Sequence, residues 1–260
     1  MSNLKIATWN ISCGIPLEWE FSNGIEKQKD YRKFGLIDEV IEIINKEQID
    51  IIGLQESVNF RNGDKSFAEI ISDNTDLKYY STFQVSDCHL IENANIEEVL
   101  LSRYPIINSE NIMFENLNFT KKSKNGIIYK LFDDGFIISD IKINDNTNIS
   151  FTTGHALAFQ VFGEEPENYI ESYKILENSI KKHFNSTKTM FVVGDYNTEF
   201  LLDMLPFFKE NFKNYVEGAT YLVENTSIDY ILANNNIKFL SKQKIKNKSD
   251  HYFCIANFEL

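Results

Sequence analysis

Several things are scarce in this chain. It has three cysteines in 260 residues, Cys13, Cys88 and Cys254, an odd number at no metal-ligand or redox spacing, which argues against a disulfide scaffold or a zinc ribbon. Four prolines and 11 glycines argue against long flexible linkers. No apolar run approaches the roughly 18 residues that span a bilayer. The opening MSNLKIATWN lacks the basic-then-apolar pattern of a secretion signal. A cytoplasmic protein with no stable membrane association is therefore expected. Positive charge is scarce too: 26 Lys and Arg face 38 Asp and Glu, a net charge of −12, and Arg32, Arg61 and Arg103 are the only arginines. Surfaces that grip nucleic acid by bulk electrostatics are normally basic, so this balance argues against one.

What is present is a globular composition, 43% hydrophobic and 25% charged, in a chain long enough for a sizeable core. No linker or shift of composition divides it, so one domain over residues 1–260 is expected. Residues 4–8 read as a strand with apolar groups on both faces, Leu4 and Ile6 against Ala7 and Trp9, which suits a central strand. Phe34, Ile37, Val40, Ile41 and Ile44 then recur at steps of three and four, predicting an amphipathic helix over 31–46 before a second apolar strand at 51–54. Such a strand–helix–strand unit has parallel strands whose C-terminal ends share one edge, where open α/β sheets bind ligands. Residues 149–155, 169–184 and 190–193 repeat the arrangement, with antiparallel strands between and after the two units. The element order predicts an α/β fold of two similar halves: two mixed sheets packed face to face with helices outside.

The ends of these strands collect a narrow set of polar residues: Asn10, Glu56, His155, Asp195, Asn197, Asp229, Asp250 and His251. Singly, each has an ordinary explanation as a turn residue, a solvated charge or a loop histidine. Asp229 is the hardest to dismiss, because an acid between Ile228 and Tyr230 in an apolar strand needs a partner. Together, four carboxylates at one edge call for a positive organiser, and a hard divalent cation with oxygen ligands is the natural one. The imidazoles remain free for proton transfer or contact with phosphate.

The ordered motifs ATWN, LQE, LLSRYPI, TGH, VVGDYN, SIDYIL and SDH, running from residue 7 to residue 251, resemble the endonuclease/exonuclease/phosphatase superfamily. The resemblance implies a four-layered α/β sandwich and a Mg²⁺-dependent hydrolase of phosphate esters, with Mn²⁺ as a substitute ion. It implies that Glu56 is the main metal ligand, that Asn10 contacts metal-bound water or phosphate, and that Asp250 completes the metal region. Asp195 would orient or deprotonate the attacking water, and Asn197 would hold a phosphoryl oxygen. Asp229 would keep His251 oriented and protonated, and His155 would contact phosphate or serve the leaving group.

Departures from the family pattern narrow the substrate. Thr153-Gly154-His155-Ala156 stands where apurinic endonucleases carry tyrosine followed by proline and asparagine. No arginine follows Arg103, which removes the bidentate phosphate clamps expected of inositol-polyphosphate phosphatases. A DNA nuclease or DNA-end-processing phosphodiesterase is the first expectation. The alternatives are a phosphatase or phosphodiesterase on a nucleotide, inositol phosphate or sphingomyelin, and a non-catalytic binding protein on the same scaffold. Lys242, Lys244, Lys246 and Lys248 alternate just before Asp250, either as a track for a nucleic-acid backbone or as a solvated face.

Overall fold

The computed structural model describes residues 3–19, 27–122, 126, 128–234 and 236–260. The N-terminal elements are β1 (Asn3–Asn10), α1 (Leu36–Glu47), β2 (Ile51–Phe60), α2 (Phe67–Asn74), β3 (Tyr79–Asp87), β4 (Ala94–Ser102) and β5 (Ile106–Met113). A short ribbon, β6 (Thr120–Lys122) and β7 (Ile128–Lys130), precedes β8 (Gly135–Asn144) and β9 (Thr147–His155). Then come α3 (Ile170–His183), β10 (Met190–Asp195), the short helices α4 (Leu201–Met204) and α5 (Pro206–Asn211), and β11 (Phe212–Asn214). The chain closes with β12 (Asp229–Asn234), β13 (Lys238–Ile245) and β14 (Phe253–Glu259).

Two mixed six-stranded sheets result, in the orders β13-β14-β1-β2-β4-β3 and β11-β12-β10-β9-β8-β5. Each has one central parallel pair, β1/β2 or β9/β10, and antiparallel neighbours. The two strand–helix–strand units are thus those expected from the hydrophobic pattern. α1 starts later than the pattern suggests, because residues 32–34 form a tighter 3₁₀ turn that ends at Gly35 with φ +63°. α2 buries Phe67, Ala68, Ile71 and Ser72 on one face, and Ser66 and Glu69 form a reciprocal capping box that marks its start. The last strands part company: β12 joins the second sheet and β14 the first.

Alternation along β1 creates the layers. Ala7 and Trp9 face α1 and α2, packing with Val40, Ile44, Phe67 and Ile71, while Leu4 and Ile6 face the other sheet. Between the sheets lie Ile51, Leu100, Phe151, Phe191, Val193, Ile231 and Phe258, with the Phe191 and Phe258 rings edge-on at 5.1 Å. Each such fully buried side chain contributes about 2 kcal/mol. On the far side of the second sheet, Tyr173, Leu176 and Ile180 of α3 cover Phe136, Ile138 and Val192. The order helix, sheet, sheet, helix is a four-layered α/β sandwich.

Toward the C-terminal ends of the parallel strands the layer between the sheets turns polar. Thr8 Oγ1 donates to Gln55 Oε1 at 3.1 Å, and Gln55 Nε2 donates across to Thr153 Oγ1 at 3.0 Å. All three residues are fully buried, so this bridge satisfies groups that water cannot reach. The sheets approach closely here because Gly53 has no side chain: a Cβ on it would lie 2.0 Å from Thr153 Oγ1 and 2.9 Å from Val193 Cγ2. Gly53→Ala is expected to reduce stability by about 1–3 kcal/mol through overpacking at this seam. Urea denaturation measures it, and a variant as stable as the wild type would mean that the sheets are not held this close.

Candidate active site

Strand pairing delivers the polar residues to one place. Asn10 is in register with Gln55, one residue before Glu56. His155 is in register with Asp195 at the ends of β9 and β10, so Gly154 is accommodated within the strand and His155 remains beside Asp195. Asp195 is also paired with Asp229 at the start of antiparallel β12. From the first sheet, Cys254 of β14 pairs with Thr8, which lays the 249–251 loop over the end of β1. Ser249 Oγ fixes that loop, lying 2.8 Å from Asn10 O and 3.0 Å from Asp250 Oδ1. All eight residues expected at the strand ends therefore gather at one end of the sandwich, with contributions from both sheets.

Glu56 arrives there through an irregularity. Leu54 pairs with Val99 but Ser57 pairs with Glu97, so Gln55 and Glu56 together oppose Glu98. In a regular strand, consecutive side chains point to opposite faces. This β-bulge, with Glu56 at φ +51°, lets Gln55 bridge to Thr153 while Glu56 also turns toward the site. A non-glycine residue in the left-handed region costs about 1 kcal/mol or more and persists only where its surroundings enforce it.

Asn10 and Asp195 form the junction. Asn10 Nδ2 donates to Glu56 Oε1 in its own sheet at 3.0 Å and to Asp195 Oδ2 in the other at 3.2 Å. The same Asp195 oxygen lies 3.5 Å from His251 Nε2 and 3.6 Å from His155 Nε2. Behind His251, Nδ1 meets Asp229 Oδ2 at 2.8 Å, and Thr220 Oγ1 accepts from the Asp229 backbone N–H at 3.0 Å. Asp195 Oδ1 accepts from the backbone of Asn197, which has φ +51°. The Asn197 side chain donates to Ala156 O at 2.7 Å and lies 2.9 Å from His155 Nε2, while its oxygen accepts from Gln160 Nε2 at 2.5 Å. Two three-residue clusters have donor atoms mutually within 4.8 Å: Asp195 with Asp229 and His251, and Glu98 with Asp134 and His155.

Electrostatics follow from burial and these neighbours. Burial alone would depress His251, but Asp229, Asp195 and Asp250 outweigh it and raise its pKa to about 10. His155 is likewise pushed well above its ordinary value, with burial overcome by Asp134, Asp195 and Glu56. Burial lifts Asp195 to about 6, and Asp229 adds to the rise against the two imidazoles. Glu56 goes the other way: burial opposes ionisation, yet His155, His89 and the Asn10 amide bring it below the usual carboxylate range. Near neutral pH two imidazolium groups thus face an edge of carboxylates.

Glu56 and Asp250 are half-buried, so a hydrated ion can reach them. Glu56 Oε1 has the Asn10 amide, and the nearest partner of Oε2 is the Cys13 thiol at 3.9 Å. Two carboxylates and a carboxamide make an oxygen donor set that fits a hard divalent cation.

Four further residues at the site escaped the sequence reading. Glu98 is fully buried on β4, Asp134 precedes β8 with Oδ1 at 3.3 Å from His155 Nδ1, and His89 stacks on Phe132 at 4.9 Å. Gln160 holds Asn197. Glu98 carried the signal that singled out Asp229, an acid inside an apolar strand, whereas Asp134 and His89 sit in loops and Gln160 in a short 3₁₀ turn, with no local pattern.

A model of the endonuclease/exonuclease/phosphatase family matches residues 7–251. No curated protein sequence matches the chain significantly. Among solved structures, an endonuclease/exonuclease/phosphatase from Beutenbergia cavernae is similar with a TM-score of 0.72 and 13% identity, covering 100% of this chain and 72% of that one. The human Nocturnin catalytic domain with bound sulfate is similar at 0.69 and 17% identity, covering 99% of this chain and 93% of that one. Zebrafish (D. rerio) TDP2 complexed with a single-strand DNA product is similar at 0.65 and 12% identity, with full coverage of both chains (100% and 100%).

The site makes its own test. Asp229→Asn removes the anion behind His251, so the imidazole pKa is expected to fall from about 10 by at least about one unit. A raised histidine pKa contributes stability that is complete below the unfolded-state value and is lost as pH rises through the folded one. The variant is therefore expected to lose stability at pH 7 and to converge with the wild type at high pH. NMR titration of the His251 ring reads the first effect, and an unchanged pKa would contradict the pairing.

Proposed function

The chain belongs to the endonuclease/exonuclease/phosphatase family, and from that premise we propose that it is a divalent-cation-dependent phosphodiesterase. Its resident ion is Mg²⁺, with Mn²⁺ as a substitute, its substrate is DNA, and residues 1–260 act as one catalytic domain. The observation that carries this reading is the placement of Asp195 Oδ2, 3.2 Å from the Asn10 amide and 3.5 and 3.6 Å from the two imidazoles. The sulfate on Nocturnin and the DNA product on TDP2 support an anionic, nucleic-acid substrate. Three free buried cysteines suit a reducing compartment such as the cytoplasm.

The chemistry is in-line attack of water on phosphorus, with cleavage of the P–O ester bond opposite. Asp195, ionised above about pH 6, orients the water and takes its proton. His251, held charged by Asp229, stabilises the negative charge that builds on the phosphoryl oxygens. His155 supplies the leaving oxygen with a proton from Nε2. Protonated there, it cannot accept from Asn197, which frees an amide hydrogen for a phosphoryl oxygen. A cation held by Glu56, with Asn10 and Asp250 alongside, would neutralise phosphate charge.

One observation favours a second reading, a small or lipid phosphate ester. The lysine row is largely engaged within the protein: Lys242 pairs with Glu217, Lys244 Nζ donates to Ala219 O at 2.6 Å, and Lys248 Nζ to Phe34 O at 3.4 Å. Lys246 and Lys248 also lie beyond the end of β13, so the four do not form one strand face.

A panel of plasmid DNA, abasic duplex, 5′-tyrosyl oligonucleotide, sphingomyelin and inositol phosphates, each with Mg²⁺ or EDTA, separates the readings. Cation-dependent cleavage of a DNA substrate is expected, and hydrolysis of inositol phosphates or sphingomyelin alone would overturn the choice of DNA. Glu56→Ala and Asp195→Ala are each expected to lower turnover at least about a hundredfold with the fold intact by circular dichroism. Near-normal activity in both would mean that the site is misassigned.

A further inference from the structure

We propose that Glu98, Asp134 and Nδ1 of His155 form a second divalent-cation site, separate from the Glu56 region and selective for Zn²⁺ over Mg²⁺. It rests on the proposed function only for its consequence, because His155 is shared with the phosphate-ester site.

The donor atoms of the three residues lie within 4.8 Å of one another, and they come from both sheets: Glu98 from β4, Asp134 and His155 from the β8 and β9 side. Glu98 is 0% exposed, and neither of its carboxyl oxygens has a hydrogen-bond partner. Burial pushes the Glu98 carboxyl well above its ordinary range, and the Glu56 backbone N–H only partly offsets this. His155 Nδ1 is also without a well-formed hydrogen bond, its contact with Asp134 Oδ1 being a long one at 3.3 Å. Among the described residues, no lysine or arginine makes an ion pair with Glu98 or Asp134. Two buried carboxyl groups, both raised by burial, therefore face a single imidazole, and ionising both costs several kcal/mol per unpaired charge unless more positive charge is present.

A divalent ion removes that imbalance. Two carboxylate oxygens and one imidazole nitrogen, with a fourth position open, are a ligand set used by zinc. Donors about 2.1 Å from a tetrahedral ion sit roughly 3.4 Å apart, so binding requires these side chains to close by about 1 Å. Mg²⁺ is disfavoured because it takes oxygen ligands in a near-ideal octahedron and keeps several waters. With Nδ1 engaged, the proton of His155 is confined to Nε2, the nitrogen that faces Asp195 and Asn197. The second site thus sets the tautomer of the residue assigned to the leaving group.

The test is equilibrium dialysis of the full chain against limiting Zn²⁺ in excess Mg²⁺, with bound zinc counted by plasma mass spectrometry. The wild type is expected to retain one Zn²⁺, Glu98→Gln and Asp134→Asn to bind it at least about tenfold more weakly, and Glu56→Gln to bind it as the wild type does. Undiminished zinc in both Glu98→Gln and Asp134→Asn overturns the site. Anomalous-difference density from zinc-soaked wild-type crystals does not depend on the variants folding. A peak among Glu98, Asp134 and His155 supports the site, and its absence overturns it. Mg²⁺-dependent hydrolysis measured on the same preparations reports separately on the proposed function.

Discussion

Everything at the candidate site depends on one carboxamide placed between two sheets. Asn10 Nδ2 has two hydrogens, and it gives one to Glu56 in its own sheet and one to Asp195 in the other. Without that amide two carboxylates would face each other across a buried gap, and mutual repulsion would drive one of them to hold a proton. Burial and Asp229 raise Asp195 to about 6, while His155, His89 and then this amide hold Glu56 below the usual carboxylate range, so two acids a few ångströms apart acquire different tasks. The position of Asn10 follows from the parallel pairing of β1 with β2 and from Ser249, whose hydroxyl binds its backbone carbonyl.

The amide can span the gap only because the sheets are close there. The missing side chain of Gly53 and the Thr8–Gln55–Thr153 bridge set that separation. Gly194 contributes within the second sheet: its φ of +144° and the Gly154 carbonyl, 2.1 Å from where a Cβ would lie, leave no room for a side chain just before Asp195. The bulge at Glu56 then places two consecutive side chains of β2 where a regular strand would place one. A bulge and two close approaches thus sit beside the chemistry, while the other register shifts, at Gln84/Ser86, Ile106/Asn108, Lys142/Asn144 and Phe239/Ser241, belong to other strand pairs.

Much of this was legible in the sequence, for reasons that can be traced to particular residues. Strong alternation in β1 and the three-four spacing of α1 and α3 defined both parallel pairs, and with them the meeting of Asn10 with Glu56 and of His155 with Asp195. Asp229 was legible as a buried acid needing a partner, and its partner is His251. β5 was hidden because six of its eight residues are exposed and polar or edge-lying, which leaves no apolar period. The bulge was hidden because Gln55 and Glu56 look like any strand end until their register with β4 is known. Asp134, in a loop, and Gln160, in a short 3₁₀ turn, were hidden because they find their partners through tertiary packing rather than local pattern.

Hydrolysis of a phosphodiester in water labelled with heavy oxygen, followed by mass spectrometry of both products, tests most directly whether this edge activates water against phosphorus. The expected result is label in the phosphate-bearing product, with incorporation slowed at least about a hundredfold in Asp195→Asn. Label in the released alcohol, or incorporation as fast in the Asp195→Asn variant as in the wild type, would contradict it.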